Sequence, residues 1–407
     1  MNDIKAVAAS AIVDTADETM TRPPIALYVI LIAFTVLGLL YSAFVPIFET
    51  SDEVWHYPMV EHLARTWTLP VQPLEPGASS GPWRQEASQP PLYYALAATL
   101  TAWIDTSPTA APYDMDTVRH LNPHVAAGEV TPDGSNPNLV VHNPALERFP
   151  WHGAVLAIHI ARIFSVLLGT WAVYLTWALV RELFPERPQL ALITAAIHAF
   201  TPMYLFVSAS VNNDNLVVPL CSLALLMMVR LVRSPKSEVQ SRESRVGSYL
   251  TLGIVIGLGL LTKASAIALL PFAIATIAWE AWQDLKWRIA NYASRITHHV
   301  LRITLYALFN LALVLLPALA ISGWWFYRNV RLYGDWLGLN AFYAVLGTRD
   351  VTADLAQLWA ERFAFAAGYW GNFGGLNVPM PTWVYTVLNL FAVLAGINAV
   401  VGYGQQV

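Results

Sequence analysis

Three carboxylates and one histidine lie close together directly after the first long apolar stretch. They are Glu49, Asp52, Glu53 and His56. The apolar stretch, residues 25–45, is long enough to cross a hydrocarbon core of about 30 Å. Acidic side chains crowded beside a bilayer repel one another and face a low dielectric, so proteins tend to keep them for binding or proton transfer. The pattern predicts a membrane-surface active site, with Asp52 and Glu53 as catalytic candidates and His56 in substrate binding.

The same residues also fit an ordinary solvated loop. In that interpretation Ser51 or Asp52 caps a helix that runs through Trp55 and Leu63. Because Asp52 and Glu53 are adjacent, only one of them can point at a substrate from a helix or a strand. Spacing alone does not decide which of the two it is.

The composition is that of a polytopic membrane protein. The 407 residues are 56% hydrophobic and 12% charged, and long apolar runs recur along the chain. The net charge of -4 carries no signal for nucleic-acid binding. The single cysteine, Cys221, excludes both an intrachain disulfide and a cysteine zinc site.

We therefore predict an all-α polytopic membrane protein with about eight transmembrane helices and additional surface-lying helices and loops. The predicted spans are 25–46, 153–180, 189–209, 215–232, 248–262, 265–282, 303–325 and 383–403. The parts of the chain are a cytoplasmic tail (1–24), the first transmembrane helix (25–46), an extracytoplasmic segment with the acidic motif (47–152), a helix core (153–325), an extracytoplasmic loop (326–382) and the last transmembrane helix with the C-terminus (383–407). No small-residue cleavage site follows the first span, which favours a retained helix over a removable signal peptide.

The topology depends on the apolar run 90–104, which is short for a span. If this run does not cross, more than half of the 23 lysines and arginines fall on the side of the N-terminus. The positive-inside rule then places the N-terminus in the cytoplasm. If the run did cross, the basic segments 230–247 and 283–302 would face outward. We expect a re-entrant or surface-lying helix.

Four histidines in the segment 105–151 or directly after it could indicate a zinc site. They are His120, His124, His142 and His152. Their spacing matches no compact pair of helical ligands, and no cysteine supports them. We expect histidines that are hydrogen-bonded within a loop.

Several polar side chains lie within or between the predicted spans. His159 and Arg162 share one helical face, and a charged arginine in hydrocarbon needs a carboxylate, a phosphate or a wet cavity. A structural ion pair with an acid such as Asp214 would satisfy it equally well. Asp214 itself could cap a helix, and Lys263 could either snorkel or bind a phosphate. Arg328 lies among aromatic residues, which suits interfacial anchoring or an anionic ligand.

Glycines on the predicted span 248–262 indicate a close helix crossing. They are Gly253, Gly257 and Gly259, and they precede Thr262 and Lys263. Small residues at such spacing let another helix approach closely.

Several motifs, in this order, resemble the membrane glycosyltransferases of the GT-C class. Those proteins carry an acidic pair after the first span, a Pro-Pro-Leu-Tyr-Tyr stretch, an Arg-x-x-Ser face and a Thr-Lys turn. The corresponding residues are Asp52-Glu53, Pro90 to Tyr94, Arg162 with Ser165, and Thr262-Lys263. The segments 329–338 and 371–385 look more narrowly like the DUF2142 group of bacterial membrane proteins.

The resemblance implies transfer of a sugar from a polyprenyl-phosphate donor to an acceptor on the outer face of a bacterial plasma membrane, with inversion. Asp52 would be the base, with Glu53 and His56 orienting it or the acceptor. Lys263, Arg162 and Arg328 would face the lipid phosphate, with Asp214 at the rim of the site, together with a divalent cation if one is bound. Many relatives place a charged residue or histidine before the Pro-Pro pair, where this chain has Gln89. The nearest acid is Glu86, which we predict to take part in substrate binding. The acceptor would be a glycan, a lipid or a protein.

A non-enzymatic protein is the competing class. A membrane subunit, or a carrier for a lipid-linked glycan, would use Arg162 and His159 in a polar pathway. Its carboxylates would lie in salt bridges or face bulk water. The chain has one predicted span after its large outer loop, whereas GT-C enzymes often have more, so it is either a short member or lacks a C-terminal part.

Overall fold

The computed structural model describes residues 23–50, 52–75, 80–126, 138–233, 242–291, 296–349 and 351–404. Most of the predicted tail 1–24 and the alternative cap Ser51 lie outside these ranges, as do parts of the two basic segments. Within the described ranges the regular structure is helical apart from one hairpin of two short strands. The predicted all-helical class is confirmed for this part of the chain.

The elements follow one another as helices of very different length. In chain order they are α1 (Ile25–Phe44), α2 (Glu53–Thr66), a 3₁₀-helix (Arg84–Ser88), α3 (Leu92–Thr101), a 3₁₀-helix (Pro108–Ala110), α4 (Met115–Val118), α5 (Pro123–Ala126), α6 (Pro144–Glu147), α7 (Gly153–Leu183), α8 (Pro188–Phe200), α9 (Pro202–Ser208), α10 (Asp214–Arg233), α11 (Arg242–Thr262), a 3₁₀-helix (Ala264–Ala268), α12 (Leu269–Asn291), α13 (Ile296–Tyr333), α14 (Leu339–Leu346), α15 (Leu355–Ala360), α16 (Arg362–Trp370), β1 (Asn372–Phe373), β2 (Val378–Pro379) and α17 (Thr382–Gly404).

Six helices in the described ranges are long and apolar enough to cross a membrane, and the count is seven if one bent pair forms a single span. The six are α1, α7, α10, α11, α12 and α13. Of the eight or so spans that we expected, six to seven are therefore shown in the described ranges. The described apolar part of α17 is shorter than a span, and so is α3, which contains most of the run 90–104.

The predicted span 189–209 is two helices, α8 and α9, which meet at a bend of 64°. Pro202 opens α9, and Thr201 before it has an extended backbone with φ -65° and ψ 118°. The proline ring disfavours a helical conformation in the preceding residue, so the helix stops there.

Helix α7 lies in the middle of the bundle, where it packs against α1, α8 and α10. A second group of packed helices consists of α11 and α13, which lie against each other. A Cβ atom at Gly253 would lie 2.3 Å from the carbonyl oxygen of Val314, and one at Gly257 would lie 2.9 Å from the Cα atom of Ala318. The predicted close crossing is confirmed for these two glycines. Gly259 instead faces Ala266 of the following 3₁₀-helix.

The segment 47–152 covers one end of this bundle. Helix α2 packs against α3, and α3 packs against α7. Helix α2 begins at Glu53 and runs through Trp55 and Leu63, and Asp52 is its N-cap residue without a side-chain cap hydrogen bond. The region predicted as loop contains short helices and one isolated bridge between Leu121 and Val140.

The last large segment, predicted as a loop over residues 326–382, is also partly helical. Helix α13 continues to Tyr333, and α14 packs against the 3₁₀-helix Arg84–Ser88. The hydroxyl of Tyr385 donates to the carbonyl oxygen of Gly371 and accepts from the backbone N–H of Met380, which fixes the β1–β2 hairpin to α17.

Candidate functional site

The turn between α1 and α2 separates the two adjacent acids. Phe48 and Asp52 both have left-handed backbones, with φ of 68° and 62°. Such conformations are costly for most residues other than glycine, although aspartate tolerates them better. The turn directs Asp52 outward, where it is exposed, and buries Glu53 completely.

Glu53 forms a buried ion pair with Arg162 of α7. Its two carboxylate oxygens accept hydrogen bonds from Nε at 2.8 Å and from Nη2 at 2.5 Å. The backbone N–H groups of Phe48 and Val211 donate to the same carboxylate at 2.8 and 2.9 Å. The remaining guanidinium donors bond to the carbonyl oxygens of Ser42, Val45 and Pro46. The pair therefore connects the end of α1, the start of α2, α7 and the turn before α10.

This arrangement bears on two predicted site residues. The side chains of Glu53 and Arg162 are fully buried and their polar atoms already have protein partners, so in this structure neither is open to a substrate or a lipid phosphate. The alternative of a structural ion pair fits the geometry, although the acid is Glu53 and not Asp214. His159 shares the inward face with Arg162, as predicted, and its ring stacks on Trp151 at 3.7 Å between centroids.

A second group of buried side chains lies beside Asp52. The hydroxyl of Tyr94 lies 2.7 Å from Nδ1 of His56 and donates to Oε2 of Glu86 at 3.0 Å. His56 Nδ1 and Glu86 Oε2 are 3.4 Å apart. The amide of Gln85 donates to the other oxygen of Glu86 at 2.8 Å. Three elements contribute these residues: α2, the first 3₁₀-helix and α3.

The charges of Asp52 and Lys263 act on this group. Burial raises the pKa of Glu86 to about 7; the bond from Tyr94 opposes that rise, the negative charge of Asp52 adds to it, and the positive charge of Lys263 opposes it. Burial, with the charge of Lys263, lowers the pKa of His56 to about 3. We call Asp52, His56, Glu86, Tyr94 and Lys263 the acid–base cluster.

Lys263 and Asp214 form the accessible side of the cluster. Their ion pair has an N–O distance of 2.7 Å, and the two side chains are 29% and 43% exposed. Lys263 precedes the third 3₁₀-helix, and Asp214 begins α10. Because both charges remain partly in water, this pair contributes little to stability. It leaves an ammonium group within reach of an anion.

Two of the motifs quoted above contact each other directly. The hydroxyl groups of Tyr93 and Ser165 are 2.7 Å apart, and the backbone N–H of Asn212 donates to Tyr93 at 3.2 Å. Gln89 accepts a hydrogen bond of 2.7 Å from the side chain of Asn213. Gln89 thus binds the turn before α10, next to the residue that pairs with Lys263.

Arg328 lies apart from the acid–base cluster. Its guanidinium donates to the carbonyl oxygen of Pro70 at 2.7 Å and lies over the ring of Trp325 at 4.9 Å. It therefore holds the chain after α2 against α13. Its Nη1 atom is buried without a hydrogen-bond partner in the described part of the chain, and the phosphate contact that we expected stays a prediction.

Of the eight site residues predicted from the sequence, five lie at or beside the cluster, and Glu53, Arg162 and Arg328 have other contacts. Tyr94 and Gln85 were missed as site residues. Tyr94 belongs to the Pro-Pro-Leu-Tyr-Tyr motif, and its position in that motif was the sequence signal that could have identified it. Nothing in the sequence singled out Gln85.

Where the structure describes a contact for a histidine of the segment 47–152, the partner is another residue of the protein. His142 lies between Glu49 and Glu147, at 2.9 Å from each. Within the described ranges no three His, Cys, Asp or Glu side chains converge as metal ligands would.

Comparison with known families gives one match. No curated protein and no solved structure matches the chain significantly. Residues 156–297 match the family described as dolichyl-phosphate-mannose-protein mannosyltransferase, over about a third of the chain. The matched region contains Arg162, Asp214 and Lys263. In this region the chain is therefore similar to a family of GT-C membrane glycosyltransferases.

Proposed function

We propose that this protein is an inverting membrane glycosyltransferase. It moves a sugar from a polyprenyl-phosphate donor to an acceptor on the extracytoplasmic side, and the N-terminus lies in the cytoplasm of a bacterial cell. The family match supports this class and favours mannose as the sugar and a protein as the acceptor. The narrower likeness to the DUF2142 group stays a prediction.

The observation that carries the proposal is the acid–base cluster. Asp52 and Lys263 come from distant parts of the chain, yet both act electrostatically on Glu86. Displacement of a lipid phosphate from an anomeric carbon needs an activated acceptor hydroxyl and stabilised charge on the phosphate. In our proposal Asp52 takes the proton of the hydroxyl and Lys263 faces the phosphate oxygens. Asp214 holds Lys263 in place.

A non-catalytic subunit fits several of these contacts, because Glu53 and Asp214 lie in salt bridges and Asp52 is exposed, as expected for that class. The ion pair of Glu53 with Arg162 is compatible with an enzyme and with a subunit, because an ion pair that joins helices does not depend on catalysis. A buried carboxyl with a raised pKa, adjacent to an exposed carboxylate and an ammonium, is instead typical of catalytic sites. We therefore favour the enzyme.

The test is transfer of labelled mannose from a polyprenyl-phosphate donor to an acceptor peptide by the full-length protein in lipid nanodiscs. Asp52→Asn should lower the rate about 100-fold or more, since it removes a general base. Asp105→Asn is the matched control, because Asp105 is an exposed aspartate whose oxygens bond to Ser107 and Thr109. Full activity of a correctly inserted Asp52→Asn protein would remove Asp52 from the chemistry.

A further inference from the structure

A cavity of about 170 Å³ lies beside α2, and none of the residues described in its lining belongs to the acid–base cluster. Pro58, Glu61 and Arg65 form its helical wall, because residues three and four apart share one face of a helix. Asp116 of α4 and Arg119, which follows α4, form another part of the lining. Arg65 and Asp116 are exposed, so the cavity opens to the surface. We call it the α2 cavity.

A proline in α2 explains the position of Arg119. Pro58 has no N–H group, so the carbonyl oxygen of Val54, four residues earlier, loses its usual partner within the helix. The Nε–H group of Arg119 donates to that oxygen at 2.9 Å, and Nη2 donates to the carbonyl oxygen of Pro82 at 2.8 Å. The guanidinium also lies over the ring of Trp55 at 5.1 Å. Arg119 therefore joins the first turn of α2 to the chain that leads into the first 3₁₀-helix.

These contacts place the α2 cavity close to Asp52. Val54 is the second residue after Asp52, and the backbone N–H of Trp55 donates to the carbonyl oxygen of Asp52 at 2.8 Å. Along the helix axis Pro58 lies about 9 Å and Glu61 about 14 Å beyond Asp52, because each residue adds about 1.5 Å. An extended peptide covers this distance in about three or four residues. A chain whose hydroxyl lies at Asp52 can therefore place a neighbouring residue in the cavity.

Three of the five charged side chains described in the lining already have partners. Arg65 donates from Nη1 to Oε1 of Glu61 at 2.9 Å, and the hydroxyl of Thr106 donates to the same oxygen at 3.1 Å. Asp114 accepts from the backbone N–H and the hydroxyl of Thr117 at 3.0 and 2.7 Å, as a helix N-cap does. These three side chains therefore belong to the framework of the cavity.

The other two, Arg119 and Asp116, have hydrogen-bonding atoms to spare. The two bonds described for the guanidinium of Arg119 go from Nε and Nη2 to backbone carbonyl oxygens, which leaves Nη1 for a ligand. Burial lowers the pKa of Arg119 to about 10, and the negative charge of Asp116 opposes this shift. No ion pair in the described part of the chain joins the two side chains, which interact over a longer distance. The guanidinium has thus lost water without gaining a carboxylate, and a further acceptor would stabilise it.

We propose that the α2 cavity binds the main chain of an extended acceptor peptide. The N–H group of one peptide residue donates to the carboxylate of Asp116, and the C=O group of the same residue accepts from Nη1 of Arg119. In an extended chain these two groups of a residue point to the same side, so one residue can bridge the pair. The inference rests on the proposed function, and it names the site that holds the protein acceptor while its hydroxyl lies at Asp52.

A peptide backbone suits the charges of the α2 cavity better than an anion does. The described lining holds three carboxylates and two guanidinium groups, an excess of one negative charge. That excess would repel a phosphate or an acidic glycan, whereas backbone groups are neutral and bond to charges of both signs. Because main-chain groups are the same in nearly every residue, we expect recognition at this position to tolerate different side chains.

The experiment uses the full-length protein in lipid nanodiscs and a labelled alanine-rich peptide with a central serine. It measures the dissociation constant of the peptide, and the KM and kcat for transfer of mannose to it. A hydrogen bond to a charged group is worth about 10-fold in affinity or more. Asp116→Ala should therefore raise the dissociation constant and KM about 10-fold, with kcat unchanged, since Asp116 does not touch the reacting groups.

A second arm changes the peptide and leaves the protein intact. N-methylation of one backbone nitrogen at a time removes one N–H donor. At the residue that bonds to Asp116, methylation should weaken binding to the wild type about 10-fold. It should not weaken binding to Asp116→Ala any further, because both changes remove the same bond. By the distances above, this residue lies about three or four positions from the serine.

Asp105→Ala is the matched control, because it removes an exposed aspartate whose oxygens bond to Ser107 and Thr109. It should bind the peptide as the wild type does. An unchanged dissociation constant in Asp116→Ala, or methylation effects that are equally large in the wild type and in Asp116→Ala at every position, would overturn the inference and mean that the cavity holds only water. Peptide binding with the expected pattern but without sugar transfer would overturn the proposed function alone, so the two failures are distinguishable.

Discussion

The adjacent acids Asp52 and Glu53 should give opposite results when each is neutralised. Glu53→Ala removes one partner of a buried ion pair and leaves the guanidinium of Arg162 without its carboxylate. Asp52→Asn changes an exposed side chain. We therefore expect Glu53→Ala to lose stability and Asp52→Asn to lose activity at nearly unchanged stability.

The size of the first effect follows from the contacts. Breaking a buried ion pair by removing one partner costs about 3–5 kcal/mol. The backbone N–H groups of Phe48 and Val211 also lose their acceptor, and a buried unsatisfied donor costs about 1–3 kcal/mol. Partial relaxation of the structure offsets some of these costs. We therefore expect Glu53→Ala to lower the free energy of unfolding by at least about 3–5 kcal/mol, which is a factor of about 100 to 4,000 in the unfolding equilibrium. Asp52→Asn should change the free energy of unfolding by about 0.5 kcal/mol or less.

Denaturant unfolding in detergent micelles, followed by tryptophan fluorescence, measures both variants against the wild type. Replacing both charges with apolar residues, as Glu53→Leu with Arg162→Met, should recover part of the loss, because no unpaired charge remains. If Glu53→Gln proved as stable as the wild type but inactive, Glu53 would be a catalytic group and our assignment of the two acids would be wrong.

Two further predictions concern other parts of the fold. His142 lies between Glu49 and Glu147, and the bonds and charges of these partners outweigh burial and raise its pKa to about 9. Because this pKa is above the unfolded value of about 6.5, the stabilisation is complete below that pH and is lost as the pH rises through about 9. The protection factors for amide hydrogen exchange in the surrounding loop, which correct for the intrinsic effect of pH, should fall over that interval in the wild type and stay level in His142→Gln. Gly253→Ala should prevent folding or strongly destabilise the bundle, because the added Cβ would lie 2.3 Å from a backbone oxygen of α13. Gly396→Ala, with open space around it, should behave as the wild type in the same unfolding assay.

The sequence pointed to several residues of the candidate cluster because their types were informative. An acid after the first span, a lysine at a helix end and an aspartate in a tight turn are unusual enough beside a membrane to be noticed one by one. Their mutual positions were not available from spacing. The hydrogen bonds from His56 to Tyr94 and from Tyr94 to Glu86 join three separate elements. For the same reason the sequence did not reveal that Arg162 would be paired with Glu53.

The arrangement of the helices was likewise predictable from the sequence only in part. Hydrophobic length identified each of the long apolar helices, because the bilayer requires about 20 apolar residues for a span. It did not show that Pro202 would bend one predicted span by 64°. Helix ends were also misplaced where α13 continues beyond the apolar stretch, since packing and not hydropathy decides where such a helix stops.

The sequence by itself determined that this is a helical membrane protein with acidic and basic groups reserved at the ends of its helices, because hydropathy and charge are local properties of the chain. Only the tertiary structure decided which of two neighbouring carboxylates became part of the framework. That choice depends on a left-handed turn at Asp52 and on an arginine more than 100 residues away in the sequence. Together they bury Glu53 and leave Asp52 exposed, where its charge acts on Glu86.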